Sequence, residues 1–528
     1  MKKVISCMIC ALLLVGCMAG CGSTGGKSGS GNGIKIMMSL SQGDDFRNTI
    51  VEQAKKTAQE KGATLDVYDE DGSLESQVEH IKQAAKEKYD VILCGPVNAD
   101  TALELESLAD GIPVIFYNSC PDASYLETGK YMYVGSDENV AGQYQAEYIL
   151  DKIKGAKRPV FMIGHGANGE TEKMLTDLAR VHHIPMITSV LARSVLKFDD
   201  PLNFGCIGGA YGHRYANMIA NAKSDLLLCF GISLCTRQIG TKVHEFAKGA
   251  EIVRVDIDPY NLQREIHEGR KGEKCFCVSA EDVACKLTEQ QAQIGSYEEW
   301  LAVCRKIRKE LEQVDDATPQ RYPNRMIAYL SDQLSDTGAV AVDVGQHMVW
   351  SYQSFHNQQG QKTLFSGGHG AMGYALPAAI GAYYATGKPV ACICGDGAFQ
   401  MNIQELQWEK RENIPVKMIV MNNEALGMIR HLQRDYFDCV YADTSDGSGF
   451  SSCNFSDVAQ AYKIPAKRIQ GEDVEKYAGK FLEQSGPELL EIMLEHGTYA
   501  YPKTCLGEPI HNQQPYIPKP IFDELMEL

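Results

Sequence analysis

Two short, wholly apolar runs in the last third of the chain, PVACIC and VKMIVM, each end on a polar corner. The first delivers Gly395-Asp396-Gly397-Ala398-Phe399 and the second Asn422-Asn423. Runs of this length without alternation read as strands buried on both faces. Asp396 and Asn423 lie 27 positions apart, which leaves room for one helix (about Asn402 to Glu412) and one strand. A parallel sheet brings both side chains out at the same edge. Such an edge suits a hard cation bridging a diphosphate, because Mg2+ takes oxygen ligands at about 2.0–2.1 Å and keeps phosphate oxygens and water. Asp396 would supply charge, Asn423 an amide oxygen and Ala425 a backbone carbonyl. Gly395 and Gly397 let the backbone come close to phosphates. The alternative is two unrelated Gly/Asn turns after core strands.

The same alternation of strand and helix runs through the rest of the 528 residues, a length that suggests three to four domains at about 150 residues each. From Ile34 to about Lys154, IKIMMS, TLDVYD, DVILCG and PVIFYN read as parallel strands. The intervening helices are placed after Asp44, from about Ser73 to Lys88, near Ala102 to Leu108 and from Glu138 to Ile153. From Lys157 to about Leu287 a second set follows, and a polar, helix-prone connector spans about Glu289 to Pro323. The expected fold class is α/β, with three doubly wound parallel-sheet domains. Fifty-one basic against 68 acidic side chains leave a formal charge of −17. That surface repels phosphate backbones, so nucleic acid is excluded as a main partner, and so is charge-driven membrane binding. The 18 cysteines have no framework spacing, and Cys94, Cys229, Cys392 and Cys394 sit inside apolar strands, where a free thiol packs as a small hydrophobe. That use suits a reducing compartment.

The first residues point elsewhere. Met1-Lys2-Lys3 is a basic start, Val4 to Met18 an apolar run too short to span a bilayer comfortably, and two lipobox-like strings end at Cys17 and Cys21. The segment 1–21 resembles a bacterial lipoprotein signal with Cys21 (or Cys17) lipidated, followed by a Gly/Ser linker over 22–33. An ordinary signal peptide or an uncleaved anchor is the alternative. The signal implies a membrane lipoprotein on the extracytoplasmic face.

Over 34–156 the strings SLSQGDDF, ILCGPVNADTA, IPVIFYNSCPD and YVGSDENVAGQYQAEYI resemble the N-terminal lobe of periplasmic sugar-binding proteins of the ribose/galactose type. The resemblance implies that Asp44 and Asn118 hydrogen-bond sugar hydroxyls and that Phe46 stacks on a pyranose face. A plainer reading has Asp44 capping a helix and Phe46 starting it as a core residue. Such proteins clamp the ligand between two lobes, and the second lobe does not follow.

Instead, residues 157–288, with KRPVFMIGHGA, FGCIGGAYGHRYAN and FAKGAEIVRVDIDPYNLQRE, resemble the central domain of thiamine diphosphate enzymes of the acetolactate synthase type. The flavin-contacting loop of flavin-bearing relatives reads Ile232-Ser233-Leu234-Cys235-Thr236-Arg237 here, and only Arg237 fits, so FAD is doubtful. After the connector 289–323, residues 324–528 resemble the diphosphate-binding domain of the same family through VAVDVGQHMVW, SGGHGAMGYALPAAIGAYYA, GDGAF and NN. The resemblance implies thiamine diphosphate and Mg2+ as cofactors. Gln346, His347, Gly395, Gly397, Ala398, Gly427 and Met428 would contact the diphosphate, and Met372 would prop the bent cofactor; Asp396, Asn423 and Ala425 would hold the metal. His347 reads equally as a satisfied core histidine. The family places its activating Glu in a pyrimidine domain contributed across a dimer interface, and no matching segment precedes Lys157. The expectation is therefore a chimera joined near Ile153 to Arg158. It would be a thiamine diphosphate enzyme acting on 2-oxo acids, incomplete alone, with a surface sugar-binding lipoprotein or no integrated activity as alternatives. A cytoplasmic site suits the enzyme domains, a monosaccharide is the other expected small-molecule partner, and a homo-oligomer is the expected assembly.

Overall fold

The structure, a computed structural model, describes residues 33–135, 138–263, 272–483 and 485–528. The signal-like segment with Cys17 and Cys21, and the linker up to residue 32, lie outside the described residues. The chain divides into two compact units, Met1–Ala141 and Gly142–Leu528.

In the first unit five parallel strands, β1 (Lys35–Leu40), β2 (Thr64–Asp69), β3 (Val91–Cys94), β4 (Val114–Tyr117) and β5 (Tyr131–Val134), stand in the order β2-β1-β3-β4-β5. Side chains alternate across the sheet. Ile36, Met38 and Leu40 pack with Ile50, Val51 and Ala54 on one face, while Met37, Ile92 and Phe116 pack with Ile81, Ala84 and Leu105 on the other. The helix Asp45–Lys61 begins because Asp44 accepts from the Arg47 amide, and it ends at Gly62 in the left-handed region.

The second unit holds two six-stranded parallel sheets. The first comprises β6 (Pro159–Ile163), β7 (Met186–Thr188), β8 (Asn203–Cys206), β9 (Leu226–Phe230), β10 (Glu251–Asp256) and β11 (Glu273–Cys277), in the order β11-β10-β9-β6-β7-β8. The other comprises β12 (Ala339–Val342), β13 (Lys362–Phe365), β14 (Val390–Gly395), β15 (Val416–Asn422), β16 (Ala466–Gln470) and β17 (Glu488–Met493), in the order β13-β12-β14-β15-β17-β16. With the five-stranded sheet, these make three doubly wound α/β layers, as the alternation predicts. The buried cysteines Cys94, Cys229, Cys392 and Cys394 sit in strands, and no disulfide is formed among the described residues. No helix among the described residues is long and apolar enough to cross a membrane.

Three local features add to the sequence reading. The helix Glu138–Gly155 contributes Ile149, Leu150 and Ile153 to the core around β6–β11, and its Tyr148 and Lys152 reach Glu251 at 2.9 and 2.8 Å. Packing thus divides the chain at 141/142, ahead of the Ile153–Arg158 seam. Phe46 is 58% exposed and belongs to no core. In the helix Ala375–Thr386, Gly381 has open space where a Cβ would be, whereas Ala375 and Ala379 are buried.

Glu409, on the helix Leu406–Glu412, is fully buried and neither carboxyl oxygen has a hydrogen-bond partner. Burial first, then the charge of Glu405, pushes its pKa well above the carboxylate range. The folded chain therefore keeps a proton that the unfolded chain releases above about pH 4.3. The resulting penalty is absent below that pH and grows as pH rises toward the raised folded value. Glu409→Met is expected to stabilise the chain by about 1–3 kcal/mol at pH 8 and by less at pH 5, read from urea midpoints; equal gains at both pH values would contradict the assignment.

Candidate functional site

β12, β14 and β15 are neighbours, and the segments leaving their carboxyl ends build one cleft of about 230 Å3. All eleven cofactor and metal residues expected of the enzyme half line it. β14 ends at Gly395 and passes straight into the helical turn Asp396–Phe399, which leaves Asp396 only 3% exposed. Its Oδ2 accepts from the Ala425 amide at 3.1 Å, and burial pushes its pKa up to about 7. A cation in the cleft would restore the ionised form.

The two asparagines at the end of β15 have different jobs. Asn422 donates to Glu491 at 2.7 Å and accepts from the Glu424 amide at 2.9 Å, so it pins the corner. Asn423 faces the cleft and donates to Gln346 Oε1 at 3.3 Å. Gln346 opens the helix Gln346–Ser354, and its Nε2 is buried without a partner. Gly427 completes this corner: a Cβ there would collide with Gln346 Oε1 and lie 2.9 Å from Asn423 Nδ2. Across the cleft, a Cβ on Gly397 would come within 3.2 Å of the Met372 methyl, so the methionine reaches over the Gly-Asp-Gly turn.

His347 is buried, and its Nε2 accepts from the Gly395 amide at 3.2 Å. A backbone hydrogen bond at Asp343 also engages the ring, and burial pushes its pKa down to about 3. The imidazole is therefore neutral and engaged by backbone, as the core-histidine alternative has it, although it still forms part of the cleft wall. It also explains Gly395, whose Cβ would stand 2.8 Å from His347 Nδ1.

Asp343 is the residue that sequence reasoning missed. It follows β12, is 1% exposed, and accepts from the amides of Val344 (2.8 Å), Gly373 (2.9 Å) and Ala375 (2.7 Å). One carboxylate thus ties the strand end to the Gly-rich turn that carries Met372. An Asp closing an apolar strand just before Gly-Gln-His was the available signal. Among the described residues no group of three His, Cys, Asp or Glu side chains is placed to hold a metal. Asp396 and Asn423, with phosphate oxygens, remain a fitting donor set for Mg2+.

In the first unit, Asp44 caps the helix after β1 and is ion-paired with Arg47, whose backbone amide is the main cause of its lowered pKa. Asn118 follows β4 in the left-handed region at φ 67° and is exposed. Asp44, Phe46 and Asn118 therefore share the carboxyl edge of the sheet, with β3 between the two strands that deliver them.

Residues 343–492 match the family model "Thiamine pyrophosphate enzyme, C-terminal TPP binding domain", and residues 146–269 match "Thiamine pyrophosphate enzyme, central domain". Residues 34–177 match "Periplasmic binding protein domain". Acetolactate synthase 1, chloroplastic, of Oryza sativa subsp. japonica is 32% identical over 382 residues, covering 68% of this chain and 57% of that protein. Acetolactate synthase 2, chloroplastic, of Zea mays is 33% identical over 376 residues, with the same coverage. The acetolactate synthase large subunit of Cyanidium caldarium is 30% identical over 375 residues, 69% of this chain and 62% of that protein. The chain spans about three-fifths of the length of these relatives. It joins a periplasmic binding protein domain to the central and C-terminal domains of a thiamine pyrophosphate enzyme.

Replacing Asp343 by Ala leaves the Val344, Gly373 and Ala375 amides without their acceptor. We expect a loss of at least about 2 kcal/mol in the unfolding of the second unit, followed by urea denaturation; an unchanged midpoint would mean that the turn is held by other contacts.

Proposed function

We propose that the second unit binds thiamine diphosphate and Mg2+ in this cleft and acts on 2-oxo acids. The observation that carries this reading is the convergence of Asp396, Asn423, Gln346 and Gly427 on one corner. An acid and an amide oxygen suited to a hard cation meet an unpartnered buried amide there, beside a glycine whose Cβ would not fit. When bound, the cofactor supplies an electron sink for breaking and making the carbon–carbon bond next to a 2-oxo group. The chain's own residues bind and orient it. Asp396, Asn423 and the Ala425 carbonyl hold the metal, and Gln346 Nε2 donates to a diphosphate oxygen. Met372 and Met428 give the cleft apolar walls.

In the family the aminopyrimidine is activated by a Glu on a pyrimidine domain. The segment ahead of the central domain here is the binding-protein lobe, so we assign that domain to another polypeptide. Large apolar side chains left in solvent support this: Tyr384 and Met401 are each 58% exposed and Trp408 is 39% exposed. They lie on the helices that flank β14, and Trp408 donates to the Tyr384 hydroxyl at 3.3 Å. Such a face suits a protein neighbour, including a second copy of this chain.

Thermal unfolding of the full chain with Mg2+ and thiamine diphosphate tests the reading. One-site linkage gives about 2.7 kcal/mol at ligand 100-fold above Kd. The shift should require Mg2+ and vanish in Asp396→Ala; a Mg2+-independent shift that survives the substitution would sink the metal assignment.

A second reading concerns the first unit, where the exposed Phe46 ring, Asp44 and Asn118 share one sheet edge. We propose that this edge binds a monosaccharide weakly, since one lobe covers only part of a sugar. Calorimetry with ribose and galactose should give millimolar binding abolished by Phe46→Ala; no heat with either sugar would remove the proposal.

A further inference from the structure

Away from the cofactor cleft, a second cavity of about 370 Å3 opens inside the second unit. Its wall is built by one face of the helix Tyr322–Gln333 with the preceding Arg321 (Arg321, Asn324, Arg325, Ala328), by the end of the helix Gln346–Ser354, and by Arg308.

The polar groups here are incompletely matched. Asp315 serves two guanidiniums, taking Arg214 Nε at 2.7 Å and Arg321 Nη1 at 3.2 Å. Glu312 is taken by Arg308 at 2.7 Å, and Asp199 pairs with Lys197 at 3.1 Å. Arg193, buried nearby, donates to the carbonyls of Tyr352 and Phe355. Arg321 is left with a buried Nε that bonds nothing and an Nη2 that reaches Ser354 Oγ only at 3.5 Å. Arg325 is exposed and has the Thr318 carbonyl at 3.3 Å. Asn324, 3% exposed, gives both its amide hydrogens to Gln353 and Ser354 while its Oδ1 has no partner. Of the three carboxylates on the wall, Glu312 and Asp315 are already committed, and Asp316 is exposed. On the wall the guanidiniums of Arg308, Arg321 and Arg325 equal the carboxylates of Glu312, Asp315 and Asp316 in number, but Asp315 is shared with Arg214 from behind the wall, which leaves Arg321 undersatisfied. His213, on the same wall, adds no charge, because burial and the fields of Arg193, Arg308 and Arg321 hold it neutral.

We propose that this cavity binds a phosphate group between Arg321 and Arg325, with Asn324 Oδ1 accepting from a hydroxyl of the ligand. Planar guanidiniums match phosphate oxygens in pairs, and a phosphate would satisfy the orphaned Nε. The space exceeds what one phosphate fills, so a small phosphomonoester is the ligand class that uses it, with Phe198 and Tyr215 as its apolar wall. The site is separate from the cofactor cleft and does not depend on the function proposed for it.

Equilibrium dialysis of the full chain with radiolabelled orthophosphate, in EDTA and at fixed ionic strength, tests this. One saturable equivalent per chain is expected, displaced by glycerol 3-phosphate or AMP but not by chloride. Arg321→Ala and Arg325→Ala should each weaken binding by about 10-fold, and Asp396→Ala should leave it unchanged. Tighter displacement by the esters than by orthophosphate assigns the phosphomonoester class, and the reverse order assigns free phosphate. Because Arg325 is exposed, its removal should not affect folding, so it keeps the test open if Arg321→Ala misfolds. Binding that is lost in Asp396→Ala and kept in both arginine variants would place the anion in the cofactor cleft and overturn the proposal, as would displacement by chloride.

Discussion

The cleft depends on one buried carboxylate. Asp343 is almost inaccessible to water, and burial pushes its pKa up, yet three backbone amides point at it. Amide hydrogen bonds offset the desolvation of a buried acid only when they are preformed, so the carboxylate and the turn around it define each other. The acid fixes where β12 stops and where the Gly-rich turn before the helix Ala375–Thr386 lies. His347, four residues on, then occupies the space beside Gly395, and Met372 reaches Gly397. The glycines of the site follow from these two side chains as much as from any ligand.

The helix Gln346–Ser354 carries this order across the second unit. Its first residues line the cofactor cleft, and its last, Gln353 and Ser354, line the arginine-rich cavity. Helix C-termini leave carbonyls unsatisfied, and here Arg193 bonds those of Tyr352 and Phe355. Asn324 holds Gln353 and Ser354 from the neighbouring helix. A cation at the carbonyl end also complements the helix dipole. The segment after β7 that carries Arg193 therefore helps to set the angle at which Gln346 enters the cleft.

Much of this was legible because chain order alone delivers it. Asp396 and Asn423 converge because two adjacent parallel strands end there, and the residues between them have nowhere else to go. What the sequence left open was which neighbour each side chain finds. His347 and its alternative as a core residue differ only in where two ring nitrogens point, and the Gly395 amide decides that. The apolar spacing of the helix Glu138–Gly155 shows that one face is buried but not against which sheet. Phe46 shows the same limit in reverse: an aromatic at a helix start can be read as core or as a ring facing solvent, and here it faces solvent. Glu409 was invisible for a related reason, since charged residues flank it in sequence and only the fold encloses it.

The seam itself obeys these local rules. The binding-protein model extends to residue 177 and the central-domain model begins at 146, so both describe the same helix, strand and helix. A helix entering a parallel strand needs little beyond an apolar stripe and a buried apolar run, and either fold supplies both. In this chain Ile149, Leu150 and Ile153 supply the stripe, and Val160 to Ile163 supply the run. A junction placed there leaves the backbone pattern of each sheet intact, and each unit still closes its own core. What such a junction need not preserve is the surface around it. Beside the C-terminal sheet an apolar face around Tyr384, Met401 and Trp408 stands in solvent. Its solvent exposure sets it apart from the cleft, whose residues are packed and hydrogen-bonded.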